Sequence, residues 1–557
     1  MVSVEAKDSD PDECETNARP LKCLKNLRWY FMEYCNNTSI HGFKYLGERR
    51  SSVEKIWWGI VLAFSLYYCV LFIKEAYSKW EKSPVIVSFA TTETPIWEVP
   101  FPAVTICPRT KAIKSKFNFT EIALTINNYN ETASDFLEKK KNFKYMSMLC
   151  SSKLELFPEE EKSPFIDSGV INFFIKVHPH FNYTVANCSW TDEICDNNLK
   201  SYFVPTITAE GICYSFNMLN KDEIYTSEMT TNYFDEDLMT HRTEWSLEKG
   251  YKDNADLYAF PRRTLISGSL GALDLTFMTL ESDLEYLCGD GLQGYDIILH
   301  QPAQVPITKG GYFRVGLNQD VMAAVRPNMM RTSDELKKYT AHERNCHFVT
   351  DKQLRFFKVY NQQDCLLECL TNHTLKACGC VEFYMPRDNA TPICGVKRQK
   401  CVKFSTTKFL ESEVSFEIEN LDYLDELKNN NELSYAPSCN CLPSCNSLAY
   451  DATISQSHWD WKKGRDLVSS KNDSNSYNLS RLRIYFKDIQ FITSQRNELY
   501  GVTDFYANCG GLLGLFTGFS IISLAEIIYF VTLRFMCNMK KYGKHQWSGA
   551  HELWAKK

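Results

Sequence analysis

The sequence predicts a membrane protein in which two transmembrane helices flank a large, disulfide-rich extracellular domain. Three observations predict it. Two apolar runs, at 56–73 and 502–536, reach the roughly 20 residues that cross a bilayer. Lysine and arginine cluster on the outer side of both runs. Sixteen of the 22 cysteines lie in the long segment between them.

The first run is uncharged from Ile56 to Ile73. Glu54 and Lys55 precede it, and Lys74 and Glu75 follow. Trp57 and Trp58 stand at one end and Tyr77 and Trp80 just past the other, as amphipathic rings do at membrane interfaces. Its length and aromatic flanks argue against the buried helix of a soluble domain. The span is placed at 56–76.

The second run, 502–536, is too polar for an anchor. It carries Asp504, Asn508, a glycine file at Gly510, Gly514 and Gly518, then Ser520 and Glu526. Ionisable groups in hydrocarbon cost about 2.5–3.5 kcal/mol by insertion scales and so face a bundle interior or a water path. Glycines four apart let backbones approach closely. The pattern predicts a pore-lining helix.

Lys44, Arg49, Arg50 and Lys55 precede the first span, and Arg534, Lys540, Lys541 and Lys544 end or follow the second. The positive-inside rule then puts both termini (1–55 and 537–557) in the cytosol and 77–501 outside. The acidic start, with Asp8, Asp10, Asp12 and Glu13, lacks the basic region of a secretory signal, so the first span is expected to act as its own insertion signal. An even cysteine number suits an oxidising exterior. Eight glycosylation sequons in 77–501 agree: Asn118, Asn130, Asn182, Asn187, Asn372, Asn389, Asn472 and Asn478. The mean hydropathy of −0.32 reflects dilution of two spans by that domain. A net charge of −6 suggests no nucleic-acid partner.

The densest cysteine region runs Cys365, Cys369, Cys378-Gly379-Cys380, Cys394, Cys401, then Cys439, Cys441 and Cys445. In the cytosol zinc would be the first reading; outside, disulfides are. Cys365 and Cys369 share a face of a possible helix, and Cys439 and Cys441 a face of an extended segment. Bridges between the two would make a stiff strut, although spacing alone leaves the pairing open.

Five motifs, in order, carry a resemblance: Ser39-Ile40-His41-Gly42; Phe101 to Cys107 (FPAVTIC); Gly211 to Phe216 (GICYSF); the cluster ending Cys378-Gly379-Cys380, with Met385-Pro386 behind it; and Gly510 to Ser520 (GGLLGLFTGFS). Over nearly its whole length the chain resembles the epithelial sodium channel/degenerin superfamily, most closely its insect pickpocket branch. The resemblance implies a trimer whose subunits each give two helices to a central pore and one hand-shaped α+β extracellular domain. That domain would hold palm and β-ball sheets with finger, thumb and knuckle helices. It also implies the bridges Cys107–Cys213, Cys188–Cys195, Cys346–Cys445, Cys365–Cys441, Cys369–Cys439, Cys378–Cys401 and Cys380–Cys394. Cys150 and Cys288 are left over and are paired as a hypothesis.

The resemblance further assigns a selectivity belt to Gly518-Phe519-Ser520, where three backbone carbonyls per subunit would ring the pore and replace part of a sodium ion's hydration. Phe519 is a departure, since many members of the family carry a smaller residue there; its ring is expected to point outward. Ala507 matches the degenerin position where bulky residues hold the pore open. Asn508 stands where acid-sensing relatives carry a carboxylate. Gly510, Gly511 and Gly514 would line the pore, with Asp504 as an outer anionic ring and Glu526 as an inner one. The plain alternatives are a helix-end carboxylate for Asp504 and a snorkelling side chain for Glu526. His41-Gly42 matches the cytosolic gating motif.

The stretch 415–433 reads as an exposed thumb helix, 460–480 as a polar loop, and 483–491 as a strand. No hydrolase, phosphate-loop or zinc-protease motif appears, so an enzyme is not expected, and no cofactor beyond permeant Na+ is. The leading expectation is a plasma-membrane, cation-selective, amiloride-sensitive channel subunit gated by an extracellular stimulus. It would assemble as a homo- or heterotrimer with related subunits in the lipid bilayer. The alternatives are a non-conducting surface receptor or regulatory subunit, and an ATP-gated trimeric channel, which lacks these motifs. The stimulus is not legible.

Overall fold

The structure, a computed structural model, describes residues 19–82, 85–125, 134–150, 163–195, 199–230, 242–308, 310–419, 439–468, 476–499, 501–543 and 547–549. The chain divides into two compact units. One is Val87–Asn497; the other joins Met1–Ile86 to Glu498–Lys557.

Val87–Asn497 is built on two sheets. The larger has eight strands, its centre running Ser494–Glu498, Gln319–Thr332, Tyr477–Phe486, Leu273–Leu280 and Val185–Trp190, with Ser447–His458 also paired to Gln319–Thr332. The second has five strands in the order Phe313–Val315, Tyr295–His300, Ala103–Pro108, Gly211–Phe216, Phe203–Thr208. Tyr477–Phe486 alternates half-buried and buried residues along its whole length, the period-two pattern of a strand with one face on a core. Ala103–Pro108 and Gly211–Phe216 are buried throughout, which is why FPAVTIC and GICYSF read as continuous apolar runs.

Both sheets feed one core. Phe101 sits at its centre, with ring centroids 4.7 Å from Trp190 and 5.4 Å from Phe486. Truncating so buried an aromatic costs about 3–5 kcal/mol.

Eight disulfides staple this unit. Cys107–Cys213 ties adjacent strands, Cys188–Cys195 closes a hairpin, and Cys150–Cys288 spans 138 residues of sequence. Cys346–Cys445, Cys365–Cys441 and Cys369–Cys439 bind the helix Gln362–Cys378 and its approach to the segment 439–445. That helix ends at Gly379, whose φ of 71° reverses the chain. The turn separates its flanking cysteines into two bridges, Cys378–Cys401 and Cys380–Cys394. The Cys-Gly-Cys motif is therefore a helix cap with a staple on each side.

Several expectations are corrected here. Within 460–480 a helix, Trp461–Val468, replaces the polar loop, pinned by Trp461 stacking on Tyr477 at 4.9 Å. The strand read at 483–491 starts earlier, at Tyr477, and stops at Phe486. The exposed helix read at 415–433 is the end of Gln399–Glu419, and the remainder lies outside the described residues, as do the sequons at Asn130 and Asn472. Asn478 lies inside a strand, 7 % exposed, and its carboxamide oxygen accepts from Asn318 Nδ2 at 3.0 Å. A glycan has no room there.

The second unit holds a pre-span helix Arg19–Asn37, a short helix Phe43–Gly47 and the long helix Ser52–Lys82. The C-terminal span is broken: a proximal half-helix Val502–Thr517, a distal half-helix Ile521–Tyr529, a π turn Phe530–Arg534 and a last helix Phe535–Tyr542. Among the described residues, two helical stretches are long and apolar enough to cross a membrane, Ser52–Glu81 and Ile521–Tyr542.

Candidate functional site

The break in the second span is where chemistry concentrates. A helix that stops inside a bilayer leaves its last carbonyls without partners, at a cost of several kcal/mol each in lipid. Here three of the last four, those of Gly514, Phe516 and Thr517, are answered. Gly518 takes the left-handed conformation, φ 66°, and its N–H returns to the Gly514 carbonyl at 2.9 Å. The Ser65 hydroxyl, from the first span, donates to the Phe516 carbonyl at 2.6 Å. The His41 backbone N–H donates to the Thr517 carbonyl at 2.9 Å.

The helix then restarts on Ser520. Its side chain accepts from the Ser523 N–H at 3.3 Å, while its own N–H donates to the Ser523 hydroxyl at 3.1 Å. This is a reciprocal N-terminal cap. Because a cap already accepts the first intrahelical bond, the Ser520 carbonyl is taken by Leu524 N–H at 3.1 Å. Between Phe516 and Ser520, only the Gly518 and Phe519 carbonyls accept nothing among the described residues. The three unpaired carbonyls expected per subunit are two.

The proximal half-helix has distinct faces. Phe505 and Phe516 turn toward the first span, with Phe505 stacked on Trp80 at 5.1 Å and Phe516 on Phe72 at 5.8 Å. Asp504, Ala507, Asn508, Gly511 and Leu515 share another face, exposed in the single chain. Gly510 and Gly514 lie about a third of a turn further round, and no atom lies within 4 Å of a Cβ built at Gly510 or Gly511. The expected pore residues thus fall on two neighbouring faces. Asp504 is a helix-end carboxylate, accepting from the Gly501 N–H at 3.1 Å.

Residues 1–55 read as a cytosolic N-terminus with a His-Gly gating motif, and 38–42 fold back to the break itself. His41 lies against Gly518, and Gly42, at φ 86°, lies against Leu62 of the first span. Glu526 is occupied rather than free. One carboxylate oxygen accepts from the Ser39 N–H at 2.9 Å, the Ser39 hydroxyl at 3.1 Å and the Thr38 hydroxyl at 3.3 Å. The Ser39 and Ser523 hydroxyls also bond at 2.7 Å. Thr38, Ser65 and Ser523 were not singled out from the sequence, and Ser39 only as part of the motif Ser39-Ile40-His41-Gly42. Hydroxyls inside or beside a span were the available signal.

A broken second span with a fold-back segment beneath the break is one pattern; its family is settled by the match across the chain. Residues 34–530 match the family described as amiloride-sensitive sodium channel. The chain belongs to that family. Similar relatives include Pickpocket protein 28 of Drosophila melanogaster, 26 % identical over 95 % of this chain and 82 % of the relative. Pickpocket protein 11 of the same species is 25 % identical over 95 % and 87 %. The bile acid-sensitive ion channel of Homo sapiens is 23 % identical over 93 % and 88 %. This amiloride-sensitive sodium channel family member is thus a membrane-embedded ion channel subunit of the pickpocket-like kind, and not an enzyme.

Proposed function

We propose that the chain is one subunit of a trimeric, sodium-permeable, amiloride-sensitive cation channel of the plasma membrane, with both termini cytosolic and an extracellular stimulus. The observation that carries this reading is the pair of unpaired carbonyls, Gly518 and Phe519, at a capped break in a membrane helix. Unpaired backbone at membrane depth is tolerated where it lines a water-filled cavity, and carbonyl rings replace ion hydration. Three copies around an axis would bring six such oxygens together and would cover the exposed face of Asp504, Ala507, Asn508 and Gly511. Gly510 and Gly514 would let neighbouring helices approach.

Glu526 enters this reading as the anchor of the fold-back segment, because its carboxylate already accepts three hydrogen bonds. Three copies would be identical or drawn from related subunits. Expression in oocytes, alone and with relatives, tests the proposal by voltage clamp under acid, osmotic, mechanical and peptide stimuli. An amiloride-blocked inward sodium current is expected, and Ser520 substitutions should change its ion selectivity. Surface-delivered protein that stays silent under every combination, even with a bulky residue at Ala507, would instead indicate a non-conducting receptor or regulatory subunit.

A further inference from the structure

The C-terminal residues Trp547–Gly549 are built into the membrane unit rather than trailing from it. Ser548 is 2 % exposed, and Asn26 and Asn538 are each 4 % exposed. The Ser548 hydroxyl donates to the Asn26 side-chain oxygen at 2.7 Å, and the Ser548 N–H reaches the same oxygen at 3.4 Å. Asn538 Nδ2 donates to the Ser548 carbonyl at 3.4 Å. Trp547 stands edge-on to Tyr30 at 5.5 Å and to Phe535 at 5.3 Å. Gly549, at φ 68°, lies so close to Tyr542 that a Cβ would sit 3.0 Å from its ring.

Burying polar side chains is unfavourable unless they are bonded to one another. Here the Ser548 and Asn26 side chains bond each other, the Asn538 side chain bonds the Ser548 main-chain carbonyl, and two aromatic contacts shield the three segments. That makes a specified joint. Its partner Asn26 lies in the pre-span helix, which runs unbroken from Arg19 to Asn37 and leads straight into Thr38 and Ser39. At 1.5 Å per residue, Asn26 is about 20 Å from Ser39 along one rigid rod. Between them the Tyr30 hydroxyl donates to the Phe530 carbonyl and Glu33 pairs with Arg534. The tail joint and the Glu526 contact therefore hold opposite ends of the same element.

We propose that Trp547–Gly549 is a clasp that positions Ser39–Gly42 against the break in the second span, with Asn26, Asn538 and Ser548 as positioning residues. Its electrical consequence rests on the channel reading above; its positional consequence does not. The test uses the full chain in membranes, carrying Ser39→Cys as a reporter. A maleimide is applied from the cytosolic side, and modification of residue 39 is followed by peptide mass spectrometry. The parent reporter should react slowly. Adding Ser548→Asp, which sets a carboxylate against the Asn26 oxygen, or deleting 544–557, should speed the reaction about fivefold or more, as loss of a buried hydrogen bond does to a population. Ser548→Ala, which folds with least disturbance, should give a smaller rise in the same direction. Equal rates in all four proteins, or a parent as reactive as an unstructured peptide, overturn the clasp. If the rates rise and the chain with native Ser39 conducts, the Ser548 and tail changes made in that native chain should lower current per surface subunit. If the rates rise and even the chain with native Ser39 is silent, the clasp stands and the channel reading is what fails.

Discussion

The imidazole of His41 fills the space that any side chain at position 518 would need: a Cβ on Gly518 would lie 2.2 Å from His41 Nδ1. The two residues are far apart in sequence, yet each explains the other. Gly518 is fixed as glycine twice over, by this contact and by its positive φ.

Gly518→Ala should therefore reduce current per surface subunit by at least about tenfold, since clash and left-handed strain of about 1–2 kcal/mol act together. His41→Ala in the same chain removes the clash and leaves the strain. The double variant should recover part of the current, measured by voltage clamp against surface biotinylation. A double variant no better than Gly518→Ala alone would mean that the contact does not matter.

Glu526 makes a sharper case because two roles predict different substitution series. As an anchor it needs an acceptor for the Ser39 N–H, the Ser39 hydroxyl and the Thr38 hydroxyl. As a field-focusing charge it needs only the charge. Glu526→Gln keeps an oxygen toward those donors, whereas Glu526→Ala strands them at about 1–3 kcal/mol. Current should fall at least about fivefold more in Glu526→Ala than in Glu526→Gln. Equal losses would restore the charge role.

The contrast between these sites and the spans shows what was legible. Apolar runs, flanking lysines and aromatic ends are local signals, so the two spans could be read directly, whereas the break at Gly518 was implied by the family resemblance. Cys365 and Cys369, one helical turn apart, likewise announced a strut. The Ser39–Glu526 contact joins residues 487 positions apart and leaves no periodicity behind. The joint of Asn26 with Ser548 is equally silent. Trp461–Val468 falls in 460–480, read as a loop because that stretch is polar, charged and serine-rich; the stacking partner that fixes the helix, Tyr477, lies beyond the local window.

Glycan acceptance should follow exposure rather than motif. Asn182 and Asn372 are exposed, whereas Asn478 is buried and bonded to Asn318. Asn182→Gln and Asn372→Gln should each remove one endoglycosidase-sensitive step in gel mobility. Asn478→Gln should remove none, and a shift there would mean that this strand edge opens.

A pH dependence follows from Asp364. It lies in the first turn of Gln362–Cys378, fully buried, with Asn361 Nδ2 donating to its carboxylate and Oδ1 without a partner among the described residues. Burial pushes its carboxyl up to about 7, with the Asn361 side chain and the Val305 backbone N–H acting in the opposite direction and the nearby Glu368 adding to the rise. An unfolded aspartate ionises near 3.9. Between about pH 4 and pH 7 the folded state holds a proton that the unfolded state has released, so this group makes stability fall as pH rises, with the full penalty present above 7. Asp364→Asn removes the titration and can still bond Asn361. Its melting temperature should exceed that of the parent by about 2 °C or more at pH 8, with the gap closing toward pH 4. A gap independent of pH would show that Asp364 is already ionised in the folded protein.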